Sequence, residues 1–402
     1  MKFLFEDESF SFETLRTAGF ANYGGAELGE VIVTAQAIPE GDEDAWLTQW
    51  EATAERVARI GETSLAAGHR VSAREAFFRA SNYYRTAEFF RREFPQRDSN
   101  VARLSQRSTQ TFIQAAQLLE TPFERVEIPY EGTILEGYLF LADASGGSRP
   151  TIIYNNGFDS TQEESWFAIG AAAVRRGYNV LAFDGPGQGA ALRNNNLVFR
   201  HDWENVISPV IDFALTRKEV APDKISLFGY SLGGYLVARA AAFDHRPAAI
   251  ILNDGILDFH AAFERMLPPF VLSWIHEQKD DQANTVLQLL MNNKTDARWA
   301  IRNGLWTFGA STPAEFVRMT RQYTLEGIVE RINAATLVLD AENDQFLKGQ
   351  PKAVHAVLTS PKQLVTLTSA EGAGEHCHMG AMYRVHQVIF DWLDESLAHS
   401  RQ

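Results

Sequence analysis

The segment Gly229-Tyr230-Ser231-Leu232-Gly233-Gly234 follows an apolar run, Ile225-Ser226-Leu227-Phe228, and precedes a helix-length stretch from Tyr235 to Ala242. Between a strand and a helix, a G-x-S-x-G pattern is a nucleophile elbow. The serine occupies a strained turn that lifts its hydroxyl above a sheet, and glycines flank it because side chains there would strike neighbouring backbone. A serine hydroxyl is a weak nucleophile at its ordinary pKa. The elbow therefore demands a histidine to take the proton and an acid behind it, in chain order serine, acid, histidine.

Two loops supply these partners. Asp344 lies in Asp340-Ala341-Glu342-Asn343-Asp344, beyond the apolar run Thr336 to Leu339, and His376 lies in Gly372-Ala373-Gly374-Glu375-His376-Cys377-His378, beyond Leu364 to Leu367. Asp344 sits deepest in its loop and is the favoured acid, with Asp340 read as a strand-end cap and Glu342 held in reserve. Spacing alone leaves the base open between His376 and His378. Glu375, His376, Cys377 and His378 are all metal-ligand types, yet nearly contiguous ligands rarely wrap a tetrahedral ion and no second Cys/His cluster exists, so no metal is expected. The oxyanion formed on attack needs donors already in place. The expected ones are the backbone N–H of Leu232 and that of Phe158, which follows the glycine of the loop Asn155-Asn156-Gly157-Phe158-Asp159-Ser160.

Phe183-Asp184-Gly185-Pro186-Gly187-Gln188-Gly189-Ala190 contains G-x-G-x-x-A after a strand, the spacing of a dinucleotide fingerprint. Pro186 within the turn, the lack of a clear helix over Ala191 to Asn196, and a position after the second parallel strand argue against it. A rigid loop beside the site is expected, and no cofactor. Asp258, His260 and Glu264, beyond the run Ala249 to Leu252, are candidates for an additional acid, although an ordinary helix lining is the favoured account of them.

These residues must be held by a sheet. Val126 to Ile128 and Ile134 to Phe140 flank Glu131-Gly132 as a hairpin. Thr151 to Tyr154, Val180 to Phe183, Ile225 to Phe228, Ala249 to Leu252, Thr336 to Leu339 and Leu364 to Leu367 are apolar on both faces and mostly alternate with helix-length stretches, the pattern of a mostly parallel sheet between helices. Residues 257–328 hold helical segments without a strand and form an insertion. Residues 1–122 are helical. Asp42 and its acidic neighbours cap a helix carrying Trp46, Trp50, Ala54 and Val57, the capping box Ser72-Ala73-Arg74-Glu75 opens one through Phe90, and a third follows Asn100. Their apolar faces exceed what they can cover for one another, and the rest of the chain is the expected cover. The organisation is a helical domain over residues 1–122 and an α/β catalytic domain over 123–402.

The chain resembles an α/β-hydrolase group that includes dihydroxypseudooxynicotine hydrolase, hydrolases of fungal polyketide clusters, and bacterial acylaminoacyl-peptidase-like proteins. Ser72 to Ala76, Arg79 to Arg85, Asp184 to Gly189, Gly229 to Gly234 and Gly372 to Cys377 carry the resemblance. It implies an α/β-hydrolase fold with an N-terminal helical domain closing over the sheet edge, and a triad at Ser231, Asp344 and His376. Gln commonly stands in that group where this chain has His378, which favours His376 as the base. Members of the group act on esters, peptides or a carbon–carbon bond beside a ketone.

Composition narrows the partners. Across 402 residues, 37 Lys and Arg against 51 Asp and Glu give a net charge of -14, which repels nucleic acid and anionic membrane. No apolar run approaches the roughly 18 residues of a membrane span. A single cysteine and an acidic N-terminus point to a cytoplasmic protein without disulfides. The expected function is a serine hydrolase for a small, largely apolar ester, amide or β-diketone, with a homodimer allowed for. The rival is a non-catalytic binding protein on the same scaffold, which would normally have lost the nucleophile or the base.

Overall fold

The change of hydrophobic period near residue 124 coincides with a division of the chain. The computed structural model describes residues 1–399 and forms two units, Met1–Phe123 with Glu163–Ala171, and Glu124–Gln162 with the chain from Ala172 onward.

The first unit holds α1 (Glu8–Gly19), α2 (Leu28–Gln36), α3 (Glu43–Ala66), α4 (Arg70–Glu88) and α5 (Ser99–Ala116). Asp7, Asp42 and Asp98 cap α1, α3 and α5 through their side chains. The expected box at Ser72 does not form, because α4 already begins at Arg70 and places Ser72 inside its first turn. Phe10 packs on Trp46 and Phe90 with ring centroids 4.8 and 4.7 Å apart, and Trp46 donates its indole N–H to Thr86 O at 2.7 Å. Part of the cover that the helices need comes from far along the chain. Trp166 stacks on Phe78 and Phe167 on Phe20. Glu164 accepts from Nε and Nη2 of Arg16 at 3.0 and 2.8 Å, while Arg85 donates to Glu13 at 2.9 Å, with all four side chains buried. Removing one member of a buried pair strands the other charge, at a cost of about 3–5 kcal/mol. Glu164→Ala removes two hydrogen bonds to the Arg16 guanidinium while Glu13 stays within 3.4 Å of it, so it is expected to lower stability by about 3 kcal/mol in chemical denaturation, and a change under about 1 kcal/mol would show that the remaining partners of Arg16 make up the loss.

The second unit is built on a sheet of order β1-β2-β4-β3-β5-β6-β7-β8. Its strands are β1 (Phe123–Tyr130), β2 (Thr133–Phe140), β3 (Arg149–Asn155), β4 (Asn179–Phe183), β5 (Val220–Tyr230), β6 (Ala249–Asn253), β7 (Ala335–Ala341) and β8 (Lys362–Leu367). Glu131 and Gly132, at φ 41° and 80°, make the tight hairpin turn between β1 and β2. The β2–β4 pair is antiparallel, and every pairing from β4 through β8 is parallel. Connecting helices α6 (Ala171–Val174), α7 (Gly189–Asn195), α8 (Glu204–Leu215) and α9 (Gly233–Ala241) lie between β3 and β6 in sequence. The insertion between β6 and β7 is α10 (His260–Met266), α11 (Pro269–His276), α12 (Asp280–Asn293), α13 (Thr295–Phe308) and α14 (Pro313–Met319), and α15 (Gln350–Val357) and α16 (Met382–His399) follow among the described residues. Helix α7 corrects the expectation of no helix after Gly189: Ala190, Ala191 and Leu192 are good helix formers, and Asn196 ends the helix at φ 54°. No helix among the described residues is long and apolar enough to cross a membrane.

Candidate active site

Strands β5 to β8 are neighbours in the sheet, and their carboxyl ends carry the residues that could react. Register brings the tips level, with Tyr230 opposite Asn253 across the β5–β6 pair. Ser231 follows β5 at φ 56°, a left-handed conformation rare for a residue with a side chain, as the elbow requires. A Cβ on Gly229 would lie 2.1 Å from Gly233 O, so the turn closes only with glycine there.

His376 brings the parts together. Its Nε2 lies 2.8 Å from Ser231 Oγ and its Nδ1 2.7 Å from Asp344 Oδ2. Asp344 Oδ1 accepts from the backbone of Phe346 and Leu347 at 2.7 and 2.8 Å, which fixes the carboxylate. Burial would raise the Asp344 carboxyl, but His376 and these hydrogen bonds hold it well below the usual range. Burial would likewise depress the imidazole, yet the Asp344 charge carries His376 well above its ordinary value. The alternatives have other partners. Asp340 accepts from Thr366 Oγ1, and Glu342 is exposed and accepts from Ser369 N. His378 is fully buried, its Nδ1 lies 2.9 Å from Ala373 O, and burial pushes it down to about 4.

Leu232 follows Ser231 at the N-terminus of α9, and Phe158 follows Gly157 in the loop after β3. A Cβ on Gly157 would be 2.9 Å from Ser231 Cβ and 3.3 Å from Leu232 N, so this loop lies against the elbow. The segment once comparable to a dinucleotide fingerprint holds the loop in place. Asp184 accepts from Asn156 Nδ2 and from the backbone of Gln162 and Ala190, and Gln188 Nε2 donates to the carbonyls of Asn156 and Gly157. From the insertion, Asn303 Nδ2 donates to Phe158 O at 3.1 Å. The Phe158 ring is ringed by Phe259, Trp299, Phe308 and Phe316, with centroids 6.0 to 6.3 Å away.

Of the three residues considered as an extra acid, Asp258 precedes α10 and His260 and Glu264 lie on it. Asp258 accepts from His260 N at the start of α10, His260 Nδ1 pairs with Thr320 Oγ1 at 2.8 Å, and Glu264 is exposed. A residue that sequence reasoning passed over lies at the centre. Asp254, directly after β6 and fully buried, places Oδ2 3.0 Å from His376 Nδ1. Burial and the neighbouring Asp344 charge hold its carboxyl above the usual range. Its signal was position, one residue past a strand as Ser231 is past β5. Asp254, His376 and Cys377 offer ligand atoms within 4.8 Å of one another.

The chain belongs to the α/β-hydrolase family, whose model matches residues 156–387, and it is a hydrolase. A model described as esterase FrsA-like matches residues 43–261. Among curated relatives, hydrolase LUC6 of Fusarium sp is 35% identical and 20-hydroxy-prefusarin hydrolase FUS2 of Gibberella moniliformis is 36% identical, each alignment covering 99% of both chains. Among solved structures, 2,6-dihydroxy-pseudo-oxynicotine hydrolase superposes with a TM-score of 0.75 at 22% identity, covering 94% of this chain and 95% of that one, a likeness of fold.

Proposed function

We propose that the protein is a serine hydrolase in which Ser231 is the nucleophile, His376 the general base and Asp344 the acid that orients it. The unbroken run from Ser231 Oγ through both nitrogens of His376 to Asp344, at 2.8 and 2.7 Å, carries this reading. Ser231 Oγ attacks the substrate carbonyl as its proton passes to Nε2, and Asp344 stabilises the resulting imidazolium. The N–H groups of Phe158 and Leu232 hold the oxyanion. His376 then gives the proton to the leaving group, and a water deprotonated by the same nitrogen releases the acyl group from Ser231.

The substrate proposed is a small, largely apolar ester, amide or β-diketone taken up in the cytoplasm. Aromatic rings around Phe158 favour apolar bulk beside the oxyanion donors. A relative 36% identical is named as a hydrolase of 20-hydroxy-prefusarin. A fluorophosphonate should form one adduct, on Ser231, and a panel of p-nitrophenyl esters, aminoacyl anilides and β-diketones should separate the three bond types. Folded protein that takes up no label would rule the reading out.

His376 must be neutral to accept a proton, and the Asp344 carboxylate holds it above the ordinary 6.5. Activity should therefore rise with pH through an acid limb whose midpoint lies above 6.5, read from kcat/KM across a buffer series. A midpoint at or below 6.5 would contradict the charge balance drawn here.

A further inference from the structure

Two carboxyls address a single N–H. Nδ1 of His376 lies 2.7 Å from Asp344 Oδ2 and 3.0 Å from Asp254 Oδ2, and both acids are buried. Two ionised carboxylates so close together, away from water, repel strongly, and such pairs keep a proton. The surroundings of Asp254 indicate which member keeps it. Asp344 already receives two backbone N–H donors on Oδ1, as suits an anion. Asp254 receives one, from Cys377 N to Oδ2 at 3.2 Å. Its Oδ1 faces His378 Nε2 at 3.6 Å, and neither atom has a hydrogen-bond partner. His378 Nδ1 contacts a carbonyl, which only accepts, so in the neutral ring that nitrogen carries the hydrogen and Nε2 presents a lone pair. An ionised Asp254 would thus point a negative oxygen at a lone pair in the protein interior. A carboxylic acid would not. The remaining titratable neighbour, the Cys377 thiol, is pushed up to about 11 by burial and adds no positive charge.

We propose that Asp254 is a positioning residue for His376, acting as the neutral member of a carboxyl pair that shares one proton with Asp344, so that either acid can hold the Nδ1–H. The proposal rests on the serine-hydrolase reading above. It gives the pair a single negative charge facing the imidazolium, and it provides a reserve: when Asp344 is neutralised, Asp254 no longer faces a negative neighbour, gives up its proton to solvent and takes over the N–H from 3.0 Å. No atom moves between strands for this exchange.

The test is a mutant cycle on the full chain with the best substrate of the panel. Removing the lone acid of a triad while keeping its shape costs about 10⁴-fold in kcat. Asp344→Asn should instead lose about 10²-fold, Asp254→Asn alone about fivefold, and the double variant about 10⁴-fold, so that the second substitution costs far more in the absence of the first acid. Circular dichroism melts identify any variant that fails to fold. An Asp344→Asn loss already at 10⁴-fold and unchanged in the double variant would overturn the proposal, as would an Asp254→Asn loss equal to that of Asp344→Asn. Infrared spectra of the wild-type protein supply a readout that needs no variant. A buried protonated carboxyl band at neutral pH is expected, and its absence overturns the proposal. Retained activity in Ser231→Ala would remove the triad reading while leaving that band unaffected, so the two failures are distinguishable.

Discussion

Ser231→Ala is expected to lower kcat by about 10⁴- to 10⁶-fold, the range seen when a triad loses its nucleophile and only binding and oxyanion contacts remain. Fold should survive, because the change removes one oxygen from a half-buried side chain whose hydroxyl bonds to His376, while the elbow is held by Ser231 N donating to Asn253 O at 2.5 Å and by Gly234 N donating to Ser231 O at 2.8 Å. Loss of fluorophosphonate labelling must accompany loss of turnover. If the variant keeps a tenth of wild-type kcat, another nucleophile does the chemistry.

The second large effect separates two histidines two residues apart. His376→Ala should fall by a comparable factor, since without a base the Ser231 hydroxyl keeps its proton. His378→Gln should lose at most about tenfold, because Gln can still donate to Ala373 O from a site that contacts neither Ser231 nor Asp344. His378→Ala is a poorer comparison, as it would empty a fully buried position and leave that carbonyl unpaired. Steady-state kcat for the two variants decides the matter. An exchange of the two outcomes would make His378 the base and leave the fold as described.

Local rules made much of this legible. The elbow could be read because glycine at 229 answers a contact that no other residue survives, and the parallel strands because burial on both faces leaves continuous apolar runs. Asp254 could not be read in the same way. An aspartate after a strand is ordinarily a cap, and its place beside His376 depends on β6 lying between β5 and β7, a spatial order that sequence spacing does not encode. Helix α1 was hidden for another reason. Its buried residues include Glu13, Thr14, Arg16 and Thr17, so the polar pairing that stabilises it erases the apolar stripe by which helices are found. The distribution of residues 163–171 was equally invisible, since Trp166 and Phe167 look like any apolar stretch between two strands.

That last segment bears on how the protein is made. Chains leave the ribosome amino end first, at about 5–20 residues per second, and N-terminal units generally fold as they emerge. Here the helical unit cannot finish when its own 123 residues are out, because Glu164, Trp166 and Phe167 follow only after β1, β2 and β3 have been synthesised. For several seconds of translation, at the rates just given, Arg16 and Arg85 lack Glu164, and Phe78 and Phe20 lack the rings that cover them. The nascent chain thus passes through a stage in which charges and aromatics that are buried in the finished unit lack the residues that cover them, and in that interval it is most open to aggregation.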